Sequence, residues 1–294
     1  QVKKYIEYTK DYDFIMNEIY QNLEHIIKNY SIGIDIDDNN IYLDTDGLIV
    51  SGTPYTQNTW MDVKYDGIPA TPRNGKPVEI NAMWYNALKV MVELAEYQKD
   101  DSKKEKYERM ANKCKKSFRE KFYNKSKKCL YDVLEDGKVR PNQLFALSLS
   151  YPVLDVNSKE AKEMFETVTK KLLNKYGLKT LAKGEENYID IYEGNSFKRD
   201  FSYHQGITWT WLLGLYYNCL KRFAAESRTG KKKYNEQLEE FIQSVTETFS
   251  KEINERGCIG SIAEIYDSKR PFEPKGAVAQ AWSVAEVFRI ITRS

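Results

Sequence analysis

Apolar residues recur at helical spacing along the whole chain, in two kinds of segment that alternate. The first kind is rich in charge and apolar on one face, which predicts helices packed on one side, and the second is almost uncharged, which predicts helices packed on two sides. The charged, outer segments are 13–30, 102–122, 158–175 and 233–254, and the uncharged, inner segments are 79–97, 141–151, 203–222 and 275–292. This alternation predicts four helical hairpins in an all-α fold, with the inner helices forming a ring inside a jacket of outer helices.

The connections between these segments differ in length. Links from an inner helix to the next outer helix are short, whereas links from an outer helix to the next inner helix are long. The long links are 31–78, 123–140, 176–202 and 255–274. The first of them contains Asp46-Gly47, a turn that predicts a small β-hairpin. Long loops in compact domains often carry function. Because all four lead into the N-terminal ends of inner helices, we expect the functional site on that face.

Composition supports a single domain over residues 1–294. The chain is 41% hydrophobic, 13% aromatic and 30% charged, with a net charge of +2 and a mean hydropathy of −0.66. These values argue against disorder and against a membrane protein. Segment 201–220 is uncharged and as long as a bilayer span, but its Ser, His, Gln, Thr and Asn residues indicate a buried helix instead. We therefore expect a cytoplasmic protein without membrane contact.

Three sequence patterns concern binding of nucleic acid or metal ions. The stretch 103–128 has 12 Lys and Arg against 3 acids, but its apolar stripe explains it as the solvated outer face of a helix, so nucleic acid is not expected. Loop 35–46 resembles an EF-hand, but Asn40 replaces the required glycine and Asp46 the final glutamate. The four cysteines lack metal or disulfide spacing, which predicts free thiols. Neither a metal nor a cofactor is expected.

Two acids in separate long loops are the candidate catalytic residues. Asp62 follows Trp60 closely, and a large apolar ring can raise the pKa of a neighbouring carboxyl by desolvation, as a general acid requires. Glu264 lies between the apolar residues Ala263 and Ile265, where a carboxylate needs a charged or hydrogen-bonding partner or has a functional role. Taken singly, either could be a structural acid. Together on one face, they form the pair of carboxyl groups that a glycoside hydrolase requires for catalysis.

Residues suited to binding a sugar surround these acids in the predicted arrangement. Aromatic rings can cover the apolar faces of a pyranose, and planar polar groups can bind its hydroxyls. The candidates for substrate contact are Asp46, Trp60, Lys76, Glu79, Tyr203, His204, Gln205, Trp209, Gln280 and Trp282, and the string Arg140–Gln143 adds further polar groups. The alternative is that the tryptophans fill a core and that His204 is a neutral histidine bonded to a backbone carbonyl.

The motifs as a set resemble one family. They run in order from about residue 40 to the C-terminus, and comprise DGLIVSG, TWMD, RNGKPVEINAMWYNAL, RPNQLFALSL, YHQG-x-x-W-x-W-L-x-G, GSIAEIYD and AQAWSVAEV. They are similar to the C-terminal amylo-α-1,6-glucosidase module of glycogen debranching enzymes. The resemblance implies an (α/α)6 toroid and inverting hydrolysis of α-1,6 branches in glycogen or limit dextrin, with Asp62 as general acid and Glu264 as general base. Thr210 and Ala263 depart from the family pattern without removing a catalytic group.

The resemblance also implies a second partner. Family members carry further helices and a Trp-Gly-Arg-Asp motif upstream, which are not in this sequence, and four hairpins are fewer than the six of a closed toroid. We therefore expect this chain to be the C-terminal part of the catalytic domain, to dock with an N-terminal part of the same enzyme, and to leave the inner faces of its first and last hairpins uncovered. Two alternatives remain: a non-catalytic glucan-binding or partner-docking fragment, and a glucoamylase-like or trehalase-like hydrolase of other linkage specificity.

Overall fold

The computed structural model describes residues 1–34, 36 and 39–293, and about 51% of the chain is helical. The α-helices are α1 (Val2–Thr9), α2 (Tyr12–Phe14), α3 (Tyr20–Ile32), α4 (Val78–Tyr97), α5 (Asp101–Lys121), α6 (Phe145–Ser148), α7 (Lys159–Lys171), α8 (Ser196–Ser202), α9 (Leu212–Glu226), α10 (Lys231–Glu255) and α11 (Ala281–Ile291). A π-helical segment, Ile15–Ile19, joins α2 to α3, and a 3₁₀ helix, Pro141–Leu144, precedes α6.

The predicted inner and outer characters are confirmed for the hairpins α4–α5 and α9–α10. Helix α4 buries 12 of its 20 residues, whereas α5 buries 5 of 21 along one stripe. Similarly, α9 buries 9 of 15 residues and α10 buries 5 of 25. The hairpin α4–α5 turns sharply because Lys99 adopts a left-handed conformation and Asp100 caps α5 by accepting from the backbone N–H of Lys103.

Three predicted inner helices are shorter than expected, and that of segment 275–292 begins only at Ala281. Segment 203–222 is helical only from Leu212, because the preceding residues form turns and a short strand. Gly206, with a φ of +134°, lies against the backbone so closely that a Cβ would meet the oxygen of Ile189 at 2.3 Å. Segment 141–151 is reduced to the 3₁₀ helix and one α-helical turn.

Helix α11 differs from the other inner helices in its packing. It buries only Ser283, Val287 and Ile290, so the prediction of burial on two sides is wrong for this helix. It contacts α9 and α10, and its other face exposes Trp282, Val284 and Phe288, the last with 67% of its surface accessible. The expectation of an uncovered face on the last hairpin agrees with this exposure.

Short antiparallel strands lie mostly in the long loops, but Thr208–Trp209 lies within the segment 203–222 predicted to be helical. The strands are β1 (Tyr42–Leu43), β2 (Ile49–Val50), β3 (Lys64–Tyr65), β4 (Ile68–Pro69), β5 (Tyr123–Asn124), β6 (Cys129–Leu130), β7 (Leu173–Asn174), β8 (Gly177–Lys179), β9 (Thr208–Trp209), β10 (Ile265–Tyr266) and β11 (Pro274–Lys275). Strands β1–β2, β3–β4 and β5–β6 form hairpins, and β1–β2 encloses the predicted turn at Asp46-Gly47. The other five form one sheet in the order β11–β10–β9–β8–β7, which ties the loops before α9 and α11 together.

Three sequence expectations concern the whole described chain. Within residues 1–34, 36 and 39–293, none of the helices has both the length and the apolar character to cross a bilayer. Over the same residues, no three His, Cys, Asp or Glu side chains are grouped as metal ligands, and the acids at 35, 37 and 38 of the EF-hand-like loop lie outside them. The four cysteines are free, as predicted.

Candidate active site

The five-stranded sheet determines where Glu264 lies. Strand β10 begins at the next residue, and Ile265 pairs with Trp209 of β9. The backbone N–H of Glu264 donates to the oxygen of Ala277 at 2.9 Å. Its carboxylate accepts from the Ala277 N–H at 3.1 Å and from the amide of Gln280 at 3.2 Å. Ala277 and Gln280 thus hold Glu264 through both its backbone and its side chain.

Aromatic rings from the loop before α4, the segment between α8 and α9, and α11 contact one another near this carboxylate. The Trp60 ring lies edge-on to the rings of His204, Trp209 and Trp211, with centroid distances of 5.1, 5.4 and 4.9 Å. Trp211 stacks on Trp282 at 5.2 Å. We call these five rings, together with Tyr203, the aromatic cluster. Aromatic pairs favour such edge-on and stacked contacts, so the cluster is a rigid wall.

Tyr203 links the cluster to both candidate acids. Its ring is 4.8 Å from that of Trp209, and its backbone oxygen accepts from the Trp209 indole at 3.0 Å. Burial, followed by the hydrogen bond and negative charge of Glu264, raises the pKa of Tyr203, and the charge of Asp62 adds to the same effect. Both carboxylates thus add negative charge near the Tyr203 hydroxyl, Glu264 through a hydrogen bond and Asp62 more weakly.

Asp62 is more open than the sequence suggested. Its side chain is exposed, and no other described residue donates a hydrogen bond to it. The expected shielding by Trp60 is wrong, because the indole turns into the aromatic cluster and its N–H donates to Asn142 at 2.7 Å. Met61, between them, is fully buried. Asp62 thus projects from a firmly held backbone towards solvent.

A buried polar network lies beneath Trp60. The amide of Asn142 donates to Asp132 at 2.8 Å, and Asp132 accepts from the Nε of Arg73 at 2.6 Å. Arg73 also binds Glu79 with both terminal nitrogens. Glu79 is only 1% exposed, so the carboxylate predicted to contact sugar is occupied by an arginine.

A second branch of this network holds the segment that carries His204 and Gln205. Arg140 donates to the backbone oxygen of His204 at 2.5 Å and to the side-chain oxygen of Gln205 at 2.8 Å, while the Gln205 amide donates to Ala70 at 3.1 Å. Gln205 is therefore fully engaged with protein. Burial, and then the charges of Arg140 and Arg73, lower the pKa of His204, so this histidine is neutral. Neither of its ring nitrogens has a hydrogen-bond partner among the described residues, so the expected bond to a carbonyl is not found.

Asp46 and Lys76 lie apart from the aromatic cluster. Lys76 pairs with Asp44 at 2.6 Å and with Asp46 at 2.7 Å, and Asp46 also pairs with Lys121 of α5 at 2.5 Å. Burial raises the pKa of Asp46, but Lys121 and Lys76 outweigh it, so that its pKa lies below the usual range. These pairs fasten the β1–β2 turn to α5, and within the described residues they make no contact with the rings.

The structure thus joins the rings of Trp60, Tyr203, His204, Trp209 and Trp282 in one cluster, with Glu264 next to Tyr203 and Gln280 bonded to Glu264. Asp46 and Lys76 have no contact with this cluster among those of the described residues. Sequence reasoning did not select Asp132 or Tyr192, whose ring lies 5.7 Å from that of Tyr203. Asn142 appeared only within a polar string. No local pattern marks these residues, because their partners come from distant loops.

A helical domain with two acids beside a wall of aromatic rings has the features of a glycoside hydrolase. Comparison with known proteins gives the same class: the amylo-alpha-1,6-glucosidase family matches residues 1–289, and this chain belongs to that family. The chain is similar to the glycogen debranching enzyme of Saccharomyces cerevisiae (strain ATCC 204508 / S288c), with 26% identity over 249 residues, which covers 69% of this chain and 16% of that protein. The chain thus spans about a sixth of the length of the curated relative it matches.

A solved structure described as a sialidase has a similar fold. It matches 95% of this chain and 24% of its own length, with a TM-score of 0.63 and 13% sequence identity. At this identity the likeness concerns the fold alone.

Proposed function

We propose that this chain carries the catalytic site of an inverting glycoside hydrolase that cleaves α-1,6 branch linkages of glycogen-like glucans. The observation that carries the proposal is the position of Glu264, held by two N–H donors next to Tyr203 of the aromatic cluster. Membership of the amylo-alpha-1,6-glucosidase family supports the linkage.

Glu264 has the features of the general base. Its two hydrogen bonds come from Ala277, whose N–H is part of the backbone, and from Gln280, so the carboxylate is oriented before substrate arrives. A carboxylate oxygen can accept more than one hydrogen bond, which leaves capacity for the attacking water. In this proposal Gln280 orients the base, in addition to its predicted sugar contact.

Asp62 is the proposed general acid because its carboxyl group is accessible, since Trp60 does not shield it. It is exposed and unpartnered among the described residues, so it can approach the oxygen of the scissile linkage. In an inverting enzyme the two carboxyl groups lie roughly 6.5–9.5 Å apart, which leaves room for the water. We expect this separation between Asp62 and Glu264 once sugar is bound.

The accessible rings are the proposed sugar contacts. Trp282 is 41% exposed, and Trp60 and Tyr203 are half-buried, so each can offer a face to a pyranose. Trp209 and His204 are buried behind them and hold their positions.

We also propose that the helices are part of an (α/α)6 toroid, completed by an N-terminal part of the same enzyme. The uncovered apolar face of α11 supports this proposal, because Trp282 belongs both to that face and to the aromatic cluster. An added helix against α11 would therefore border the sugar site.

The test is hydrolysis of a branched maltodextrin, followed by measuring released glucose and its anomeric form by NMR. Initial release of β-glucose supports inversion at an α-linkage. α-D-Glucosyl fluoride is the second substrate, because fluoride leaves without needing a proton. Glucan binding without release would favour a non-catalytic module, and release from linear α-1,4-glucan or trehalose but not from branches would favour another linkage.

A further inference from the structure

We propose that Asn142 is a positioning residue for the general acid: its side-chain amide fixes the indole of Trp60, and through it the backbone that carries Asp62. The inference rests on the proposed function, since it assigns Asp62 the role of acid. It adds a role for a residue that never touches the sugar.

The amide of Asn142 can adopt only one orientation. Its oxygen accepts from the Trp60 indole at 2.7 Å, and its nitrogen donates to Asp132 at 2.8 Å. An indole N–H can only donate and a carboxylate can only accept, so the contacts require an acceptor on one side and a donor on the other. Asn142 has no exposed surface, and water does not compete for either bond.

Asp132 keeps this orientation in place. Its second oxygen accepts from Arg73 at 2.6 Å and lies 3.7 Å from the Nε of Arg140. Arg73 is paired with Glu79 in the first turn of α4. The four charged groups are all at least nine-tenths buried and sum to zero, which makes their burial tolerable. The amide is thereby anchored to an inner helix.

The bond from Asn142 matters to Asp62 because Asp62 has no anchor of its own. No hydrogen bond from a described residue reaches its carboxylate, so the backbone at residues 60 and 61 determines where it points. The edge contacts of Trp60 with neighbouring rings favour one tilt between the ring planes. The hydrogen bond to Asn142 adds a fixed direction for the indole N–H. The backbone beside Asp62 is also held by the bond from the Met61 N–H to Thr59 and by bonds to the Val63 oxygen. The Asn142 nitrogen also lies 3.7 Å from the sulfur of Met61.

The test compares two substrates in the variant Asn142→Leu. A displaced acid slows cleavage of the branch linkage, which needs a proton on its leaving group, but not of glucosyl fluoride. We expect the rate on branched maltodextrin to fall on the order of 10²-fold, the effect of a misplacement of about 1 Å. The rate on glucosyl fluoride should change less than about threefold, well below that effect.

Gln143→Leu is the matched control. Gln143 is the next residue, is equally buried, and also accepts one hydrogen bond, from Leu130, and donates one, to Arg140. Its loss also leaves one buried N–H donor and one buried oxygen acceptor unpaired but does not touch Trp60. We expect a fall in melting temperature for both variants, larger for Asn142→Leu because Asp132 is charged, with the ratio of the two rates changed only by Asn142→Leu.

The outcomes separate the two proposals. If Asp62→Asn shows the selective loss on branched maltodextrin and Asn142→Leu does not, the positioning role is refuted. An equal loss of kcat on both substrates at saturation refutes it too, since a weaker sugar contact of Trp60 changes KM for both. If Asp62→Asn itself shows no selective loss, the proposed function fails. Should Asn142→Leu not fold, Trp60→Phe removes the same bond from the other end. In a Trp60→Phe background, Asn142→Leu should then give no further selective loss, and an additive loss would overturn the inference.

Discussion

Gly276 is the position where a single methyl group should disable the proposed base. A Cβ added there would lie 2.3 Å from one carboxylate oxygen of Glu264, 3.0 Å from a side-chain carbon of Ile265 and 3.2 Å from the Cβ of Glu264. Normal carbon–oxygen contact is about 3.3 Å or more, so Gly276→Ala requires a displacement of about 1 Å. The carboxylate is the end of a flexible side chain, and it will move before the backbone does.

The displacement breaks the hydrogen bond from Ala277 and alters the one from Gln280. A misplacement of about 1 Å in a catalytic group costs on the order of 10²-fold in rate. Because the base acts on water whichever group leaves, we expect this loss on both branched maltodextrin and glucosyl fluoride. Gly276 has a φ of +71°, so the alanine also strains the backbone by about 1–2 kcal/mol.

Gly260→Ala separates these two effects. Gly260 has a φ of +84°, and a Cβ there would have nothing within 4 Å. Its alanine variant carries the same kind of backbone strain without touching Glu264, so its fall in melting temperature measures the strain alone, and Gly276→Ala should melt lower by the added contact with Ile265. Glucose release should fall only in Gly276→Ala. If Gly276→Ala keeps a rate within about threefold of Gly260→Ala, against the expected 10²-fold loss, the role or the position assigned to Glu264 is refuted.

The other predictions concern the acids and their partners. Asp62→Asn should lose activity on branched maltodextrin but keep glucan binding and glucosyl fluoride hydrolysis. Glu264→Gln should lose both hydrolytic activities. Equal loss of binding and turnover in Asp62→Asn would indicate a structural acid. Burial raises the pKa of Asp267, so its ionisation destabilises the fold as pH rises above the unfolded pKa of about 4. Asp267→Asn should therefore melt higher than the parent at pH 7 and equally at pH 3, and a lower melting temperature at pH 7 would contradict this. The hydrogen bond with Lys76 is the first cause that lowers the pKa of Asp44, so this ion pair stabilises the fold above about pH 4 and is lost as pH falls through the folded pKa. Lys76→Met should therefore lower the melting temperature at pH 7 and lower it less at pH 3. A difference that does not shrink at pH 3 would argue against the pairing.

The positions of helices and their buried faces could be predicted from the sequence wherever they depend on the local spacing of apolar residues. The stripe of α5 and the two-sided burial of α4 follow from which residues recur on which face of a helix. The β-hairpin at Asp46-Gly47 follows from turn chemistry. The prediction failed at 203–211, where the close approach of Gly206 to Ile189 and the pairing of β9 override helical periodicity.

Residue type alone also selected the acids and rings as candidates for a sugar site, because carboxylates and aromatic faces suit that chemistry wherever they meet. Which of them meet was decided by the tertiary structure. The pairing of β9 with β10 brings Glu264 to Trp209, while Arg73 takes Glu79 and Lys76 takes Asp46. A charge or an amide finds its partner through the packing of distant loops, and short-range spacing carries no information about that choice. For the same reason the sequence could nominate Asp62, but the contact between Trp60 and Asn142 beside it is seen only in the tertiary structure.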